Sequence, residues 1–137
     1  MPRARVLVVD WVAEEREMYV EGLQAEGFTV GAADPSAALA LASTHAFDVI
    51  LARVTQPHEA IDGIELTRKI KTASNRIPVV LVTTRIEPSY RSDALSAGCD
   101  AFVMLPATPT DIADILRGAL AGQQRPHRPV PRHAQHR

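Results

Sequence analysis

Reactive side chains are sparse in this 137-residue sequence, and where they stand removes several chemistries at once. Cys99 is the single cysteine, so there is no internal disulfide and no cysteine-based zinc site. Three of the five histidines, His127, His133 and His136, sit in a proline-rich stretch that offers no preorganised geometry for a transition metal, and a solvated segment is the simpler reading. The first apolar run leads into Asp10, Trp11, Val12 and Ala13, which contains no glycine-rich loop to cradle a phosphate. No nucleophile with a paired base is evident. Any chemistry must therefore come from residues that the fold brings together.

The elements that would do so are legible. Five short β-rich runs, at residues 6–10, 28–33, 48–54, 77–83 and 101–105, alternate with helical patterns, which is the signature of a parallel sheet covered by helices on both faces. Three of the runs are almost continuously apolar, as strands buried on both faces must be. Thr108, Pro109 and Asp111 supply a cap, a first-turn proline and a capping-box acid, and Asp34 before Pro35 starts another helix in the same way. Ile112, Ile115, Leu116, Ala119 and Leu120 then recur at helical spacing, so one stripe faces the sheet. Gly27 and Gly98 are expected helix stops. Gly63, Leu66 and Ile70 mark the buried side of a third helix, with Arg68, Lys69 and Lys71 toward solvent.

Five such units imply an α/β, doubly wound, five-stranded parallel sheet in the flavodoxin-like order 2-1-3-4-5. In that arrangement ligands bind beyond the carboxyl ends of the strands. The site is expected after Val9, Ala52, Val82 and Met104.

Composition bounds the function. An apolar fraction of 46% with 23% charged residues is an ordinary globular balance. The net charge of −1 hides an asymmetry: residues 123–137 carry four arginines and no acid, leaving 11 basic against 16 acidic residues, or −5, in the remainder. That body is no nucleic-acid binder by charge. Residues 1–121 are read as one domain and 122–137 as a disordered, basic, Pro/His/Arg-rich tail, able to add weak, salt-sensitive attraction to nucleic acid or an acidic partner. No apolar run approaches the roughly 20 residues that span a bilayer, and no signal peptide is visible. A cytoplasmic location is the expectation.

Six stretches, in order and at the right spacing, resemble the response-regulator receiver domains (CheY-like) of two-component signalling over residues 4–121. They are V-L-V-V-D (6–10), A-E-G-F-T-V (25–30), F-D-V-I-L (47–51), D-G-I-E-L (62–66), I-P-V-V-L-V-T (77–83) and S-A-G-C-D-A-F-V-M-L-P (96–106). The resemblance implies a pocket with an acidic pair after the first strand, an acceptor aspartate after the third, a hydroxyl after the fourth and a lysine after the fifth. Carboxylates there hold Mg²⁺, and metal and lysine offset the charge of the phosphoryl group.

Against that pattern this sequence is degenerate. Asp10 is the first acid of the pair, but Trp11 replaces the second. Arg53 stands at the acceptor position, and a guanidinium cannot be the nucleophile. Leu105, before Pro106, replaces the lysine. Asp10 and Thr83 remain, with Phe102 at the aromatic switch position and two extra residues entering the loop between Pro57 and Asp62. The expectation is a pseudo-receiver, not an enzyme, without a cofactor and with Mg²⁺ binding lost or weak. Arg53 is expected to fill the space of the metal and pair with Asp10, and Trp11 to cover the disused pocket.

Two other readings stay open: a working phosphoacceptor that uses a non-standard aspartate, such as Asp48 or Asp62, and a small-molecule sensor built on the same pocket. Asp48 falls at the far end of its strand and Asp62 reads as a helix cap; Cys99 reads as an inert small residue. The resemblance also implies a partner surface on the fourth helix, fifth strand and fifth helix, drawing on Tyr90, Arg91, Ala94, Met104 and Ala107. The partner would be another signalling protein: a histidine kinase, an output protein or a second copy, with no membrane and no specific nucleic acid.

Overall fold

The computed structural model of the chain describes residues 3–44, 46–54, 62–73, 76–84 and 88–123. Strands and helices alternate as β1 (Arg5–Val9), α1 (Ala13–Ala25), β2 (Thr29–Ala33), α2 (Pro35–Ala42), β3 (Val49–Arg53), α3 (Gly63–Ala73), β4 (Val79–Thr83), α4 (Pro88–Ala97), β5 (Ala101–Met104) and α5 (Pro109–Gln123). All neighbouring strands are parallel, and the sheet order is β2-β1-β3-β4-β5. The expected fold is the observed one, with strand ends displaced by one or two residues where apolar character outruns the hydrogen-bonded ladder.

Alternation along each strand divides the core between the two faces. Leu7, Val9, Ile50, Ala52, Val79 and Leu81 pack under α2, α3 and α4, with Phe102 and Tyr90 resting half-buried against them. Val6, Val8, Val49, Leu51, Val80, Val82 and Val103 pack with Leu23 of α1 and with Ile112, Ala113 and Leu116 of α5. Each central strand is thus apolar on both sides, which is why those runs do not alternate with polar residues.

Helix ends follow the local chemistry. Asp34 Oδ1 accepts from the Ala37 amide at 3.1 Å with Pro35 in the first turn. Thr108 Oγ1 accepts from the Asp111 amide at 3.0 Å, while the Thr108 amide donates back to Asp111 Oδ2 at 3.4 Å. Gly27 (φ 102°) and Gly98 (φ 100°) end α1 and α4 in the left-handed region, where a side chain is strained. Arg68 and Lys69 face solvent as expected, but Lys71 does not. Its ammonium donates to Asp100 Oδ2 at 2.8 Å and to the Ile77 carbonyl at 2.9 Å, tying α3 to the amino ends of β4 and β5. Asp100 also accepts the Val79 amide at 2.8 Å, a convergence of partners that helical spacing alone does not reveal.

Candidate functional site

The carboxyl ends of β1, β3 and β4 converge as the topology requires. Arg53, the last residue of β3, is in register with Val82, and Thr83 ends β4 beside it. Asp10 directly follows β1 and is 0% exposed; Thr83 is 1% exposed. Glu15, in the first turn of α1, overhangs this end of the sheet.

The pairing inside this group corrects the expectation drawn from sequence. Arg53 lies in the pocket, but its Nη1 donates to Glu15 Oε2 at 2.6 Å. Asp10 instead turns Oδ1 toward the start of α1, where it accepts the Val12 amide at 2.9 Å, and Oδ2 has no hydrogen-bond partner among the described residues. The reason is local: α1 has no side-chain cap of its own at Val12, so Asp10 is drawn to its unsatisfied amides, while Glu15 meets the guanidinium from above. Glu15 was invisible to sequence reasoning because it is one of three acids in the run A-E-E-R-E and no spacing marks it.

Burial sets the charge state of Asp10. Loss of solvent is the largest influence and pushes its pKa up to about 7. The Glu15 carboxyl adds to the rise, because it can share a proton with Asp10 and repels a second negative charge, whereas the Val12 amide and Arg53 pull the other way. With a pKa of about 7, Asp10 holds its proton through the mildly acidic range and begins to ionise near neutral pH. Tyr19, one turn beyond Glu15, is pushed up to about 12, first by burial and then by the negative charge of Asp10 and Glu15.

A divalent cation does not fit this donor set. Hard cations need several oxygen ligands converging on one point. Here one carboxyl is spent on a helix amide and resists ionisation because it is buried, the second is spent on Arg53, and the indole of Trp11 has no lone pair to offer. Among the described residues no three histidine, cysteine or acidic side chains are grouped to hold a metal.

Leu105 and Pro106, joined by a cis peptide bond, open the segment between β5 and α5 and line a cleft of about 690 Å³. The cleft runs between α1 and α5, with Met18, Tyr19, Leu23, Pro109 and Ile112 as apolar walls and Glu15, Glu21 and Arg53 as its charged groups. Gly22 permits the close approach of the two helices, since a Cβ there would meet the Pro109 ring at 3.0 Å. Trp11 is half-buried and is not part of this lining. The cleft itself escaped sequence reasoning because α1 has little amphipathic pattern to show which side faces α5.

Other candidates fall away from the pocket. Asp48 pairs with Arg5, Nη2 to Oδ1 at 2.9 Å, at the opposite end of the sheet. Asp62 caps α3 by accepting the Glu65 amide at 2.8 Å. Cys99 is buried, and burial pushes its thiol up to about 11, which makes it a poor nucleophile at neutral pH. Of the expected partner surface, Arg91 is exposed and Tyr90, Met104 and Ala107 are half-buried. Ala94 is corrected: it is 0% exposed, on the side of α4 that packs on the sheet, and belongs to no surface. The loop between Pro57 and Asp62 and the histidines of residues 124–137 lie outside the described residues.

Comparison with known proteins places this geometry. The profile of the response regulator receiver domain matches residues 6–117. The response regulator MprA of Mycobacterium ulcerans is 29% identical over 117 residues, 85% of this chain and 50% of that protein. The chain therefore spans about half the length of the curated relatives it matches. Among solved structures, the receiver domain protein (CheY-like) of Methanospirillum hungatei superposes with a TM-score of 0.81 at 26% identity, covering 90% of this chain and 98% of its own. The chemotaxis protein CheY4 of Vibrio cholerae gives 0.79 at 28% identity, covering 86% and 99%.

Proposed function

The chain belongs to the response regulator receiver domain family of two-component signalling, and we propose that it is a pseudo-receiver, which signals by binding a partner and not through an aspartyl phosphate. The observation that carries this reading is the Arg53–Glu15 pair at the end of β3. A guanidinium occupies the acceptor position of the family pattern, and the adjacent carboxylate holds it there. Phosphoryl transfer requires an ionised carboxylate to form the acyl phosphate bond, and Arg53 has none.

The surroundings support the same reading. Burial raises the pKa of Asp10 to about 7, Trp11 removes a ligand for Mg²⁺, and Leu105 removes the cation that would meet a phosphoryl group. Asp48 and Asp62 are each committed to a structural partner outside the pocket, which weighs against a substitute acceptor. Its partner is then another signalling protein, whether a histidine kinase, an output protein or a second copy of the chain. With no acceptor, the bias between conformations must come from that partner, which needs different affinities for the two states.

Intact-mass spectrometry of the purified chain with Mg²⁺ and acetyl phosphate tests this directly. The unmodified mass is expected throughout. A stoichiometric, hydroxylamine-labile phosphoryl adduct would overturn the proposal.

A further inference from the structure

The cleft between α1 and α5 has a character that the phosphorylation pocket does not explain. Met18, 66% exposed, is the most exposed large apolar side chain among the described residues, and it stands in the lining with Tyr19 and Leu23 of α1 and Pro109 and Ile112 of α5. The cleft volume of about 690 Å³ falls within the roughly 300–1000 Å³ of small-molecule sites, which are likewise apolar with a few polar groups. Shape excludes a bulkier occupant. The two helices converge at Gly22 and Pro109, where a Cβ on Gly22 would already lie 3.0 Å from the proline ring. A helix, about 10 Å across with its side chains, cannot be inserted between them, whereas a flat ring system fits the space that they leave beside Tyr19.

The charge of the lining decides what such a molecule carries. Arg53 is its cation among the described residues and is met by Glu15 at 2.6 Å. Glu21 is exposed and forms no ion pair among the described residues, so the unanswered charge is negative. Residues 1–122 as a whole hold 11 basic and 16 acidic residues, or −5, which favours the approach of a cation over that of an anion. Glu15 and Glu21 are separated along α1 by about 9 Å, at about 1.5 Å per residue. An apolar body of that length reaches from the Arg53–Glu15 pair to Glu21.

We infer that the α1–α5 cleft binds a small organic cation, with a ring-containing apolar body against Met18, Tyr19 and Ile112 and a protonated amine at Glu21. Arg53, Glu15 and the Leu105–Pro106 segment share the lining, so the ligand touches the end of β3 and the start of the connection from β5 to α5. A difference in its affinity for two arrangements of those segments would bias the fold between them. The site does not depend on whether the adjacent pocket accepts phosphate.

The test titrates the full chain, without phosphodonor, with three matched probes: biphenylmethylamine, biphenylmethanol and biphenylcarboxylate. Methyl and amide NMR is expected to show saturable shifts confined to Met18, Gly22 and Ile112 and their neighbours, with the amine bound most tightly and the carboxylate least. Glu21 is exposed, so Glu21→Lys leaves the fold intact; it is expected to weaken the amine by about threefold or more and to strengthen the carboxylate, with the alcohol unchanged. Ala107→Trp, which fills the cleft, is expected to abolish binding of all three. No saturable shift from any probe, or shifts spread over the surface, would overturn the site. Tightest binding by the carboxylate, or an amine no tighter than the alcohol and indifferent to Glu21→Lys, would overturn the assignment to a cation.

Discussion

Arg53 Nη1 lies 2.6 Å from Glu15 Oε2, joining the end of β3 to the first turn of α1 across the mouth of the pocket. The side chains are 18% and 33% exposed, so the pair is screened less than a surface ion pair yet escapes the full cost of burial. A double-mutant cycle with Arg53→Ala and Glu15→Ala should give a coupling energy of about 1 kcal/mol, measured by urea unfolding. A coupling of zero would mean that the contact contributes nothing to holding Arg53 in place.

Asp10 makes stability depend on pH in an unusual direction. Its folded pKa of about 7 lies above the ordinary 3.8, so between those values the native state holds a proton that the unfolded chain has released. Stability is then greatest below pH 4, as far as this group is concerned, and falls as pH rises toward 7. Asp10→Asn keeps an oxygen for the Val12 amide and removes the ionisation, so it should stabilise the protein above pH 7 by on the order of 1–3 kcal/mol and flatten the slope. Thermal unfolding of both proteins across that range checks the sign. A wild type whose stability rises from pH 4 to pH 7 more steeply than that of Asp10→Asn would show that Asp10 is ionised in the fold.

Gly63 is the tightest backbone approach beside the site. A Cβ there would come within 2.2 Å of the Arg53 carbonyl oxygen, and the Gly63 amide already donates to the Val54 carbonyl at 2.9 Å. Neither backbone can retreat without breaking the return of the chain to the end of β3. Gly63→Ala should cost roughly 3 kcal/mol or more, far beyond an ordinary helix-start substitution, which would cost little or even stabilise. A midpoint of denaturation within error of the wild type would show that the loop before α3 yields freely.

These relationships separate what was legible in the sequence from what was not. Strand runs such as residues 77–83 declare themselves because burial on both faces forces uninterrupted apolar residues, and the caps at Asp34 and Thr108 follow from unsatisfied helix amides. The location of Asp10, Arg53 and Thr83 followed from topology. Their pairing did not, because which of two acids meets Arg53 depends on the direction in which α1 leaves β1, and that is set by packing of α1 on α5. The cleft between those helices, the burial of Ala94 and the Lys71–Asp100 tie were hidden for the same reason: each is a contact between elements distant in sequence.

If the chain is a pseudo-receiver as proposed, the replacements at positions 11, 53 and 105 should be interdependent, and reconstruction can measure that. Arg53→Asp alone supplies a nucleophile but places a third carboxyl beside Asp10 and Glu15 and removes the cation that offsets them, so Asp10 should move further toward its neutral form. Without a Mg²⁺ ligand at position 11 or a cation at position 105, the phosphoryl charge has nothing to meet. Arg53→Asp is therefore expected to give no adduct with acetyl phosphate and Mg²⁺, whereas Arg53→Asp combined with Trp11→Asp and Leu105→Lys should give a measurable fraction of hydroxylamine-labile adduct by intact mass. If the single substitution were phosphorylated as fully as the triple one, Trp11 and Leu105 would be incidental, and the acceptor alone would have decided the loss of the chemistry.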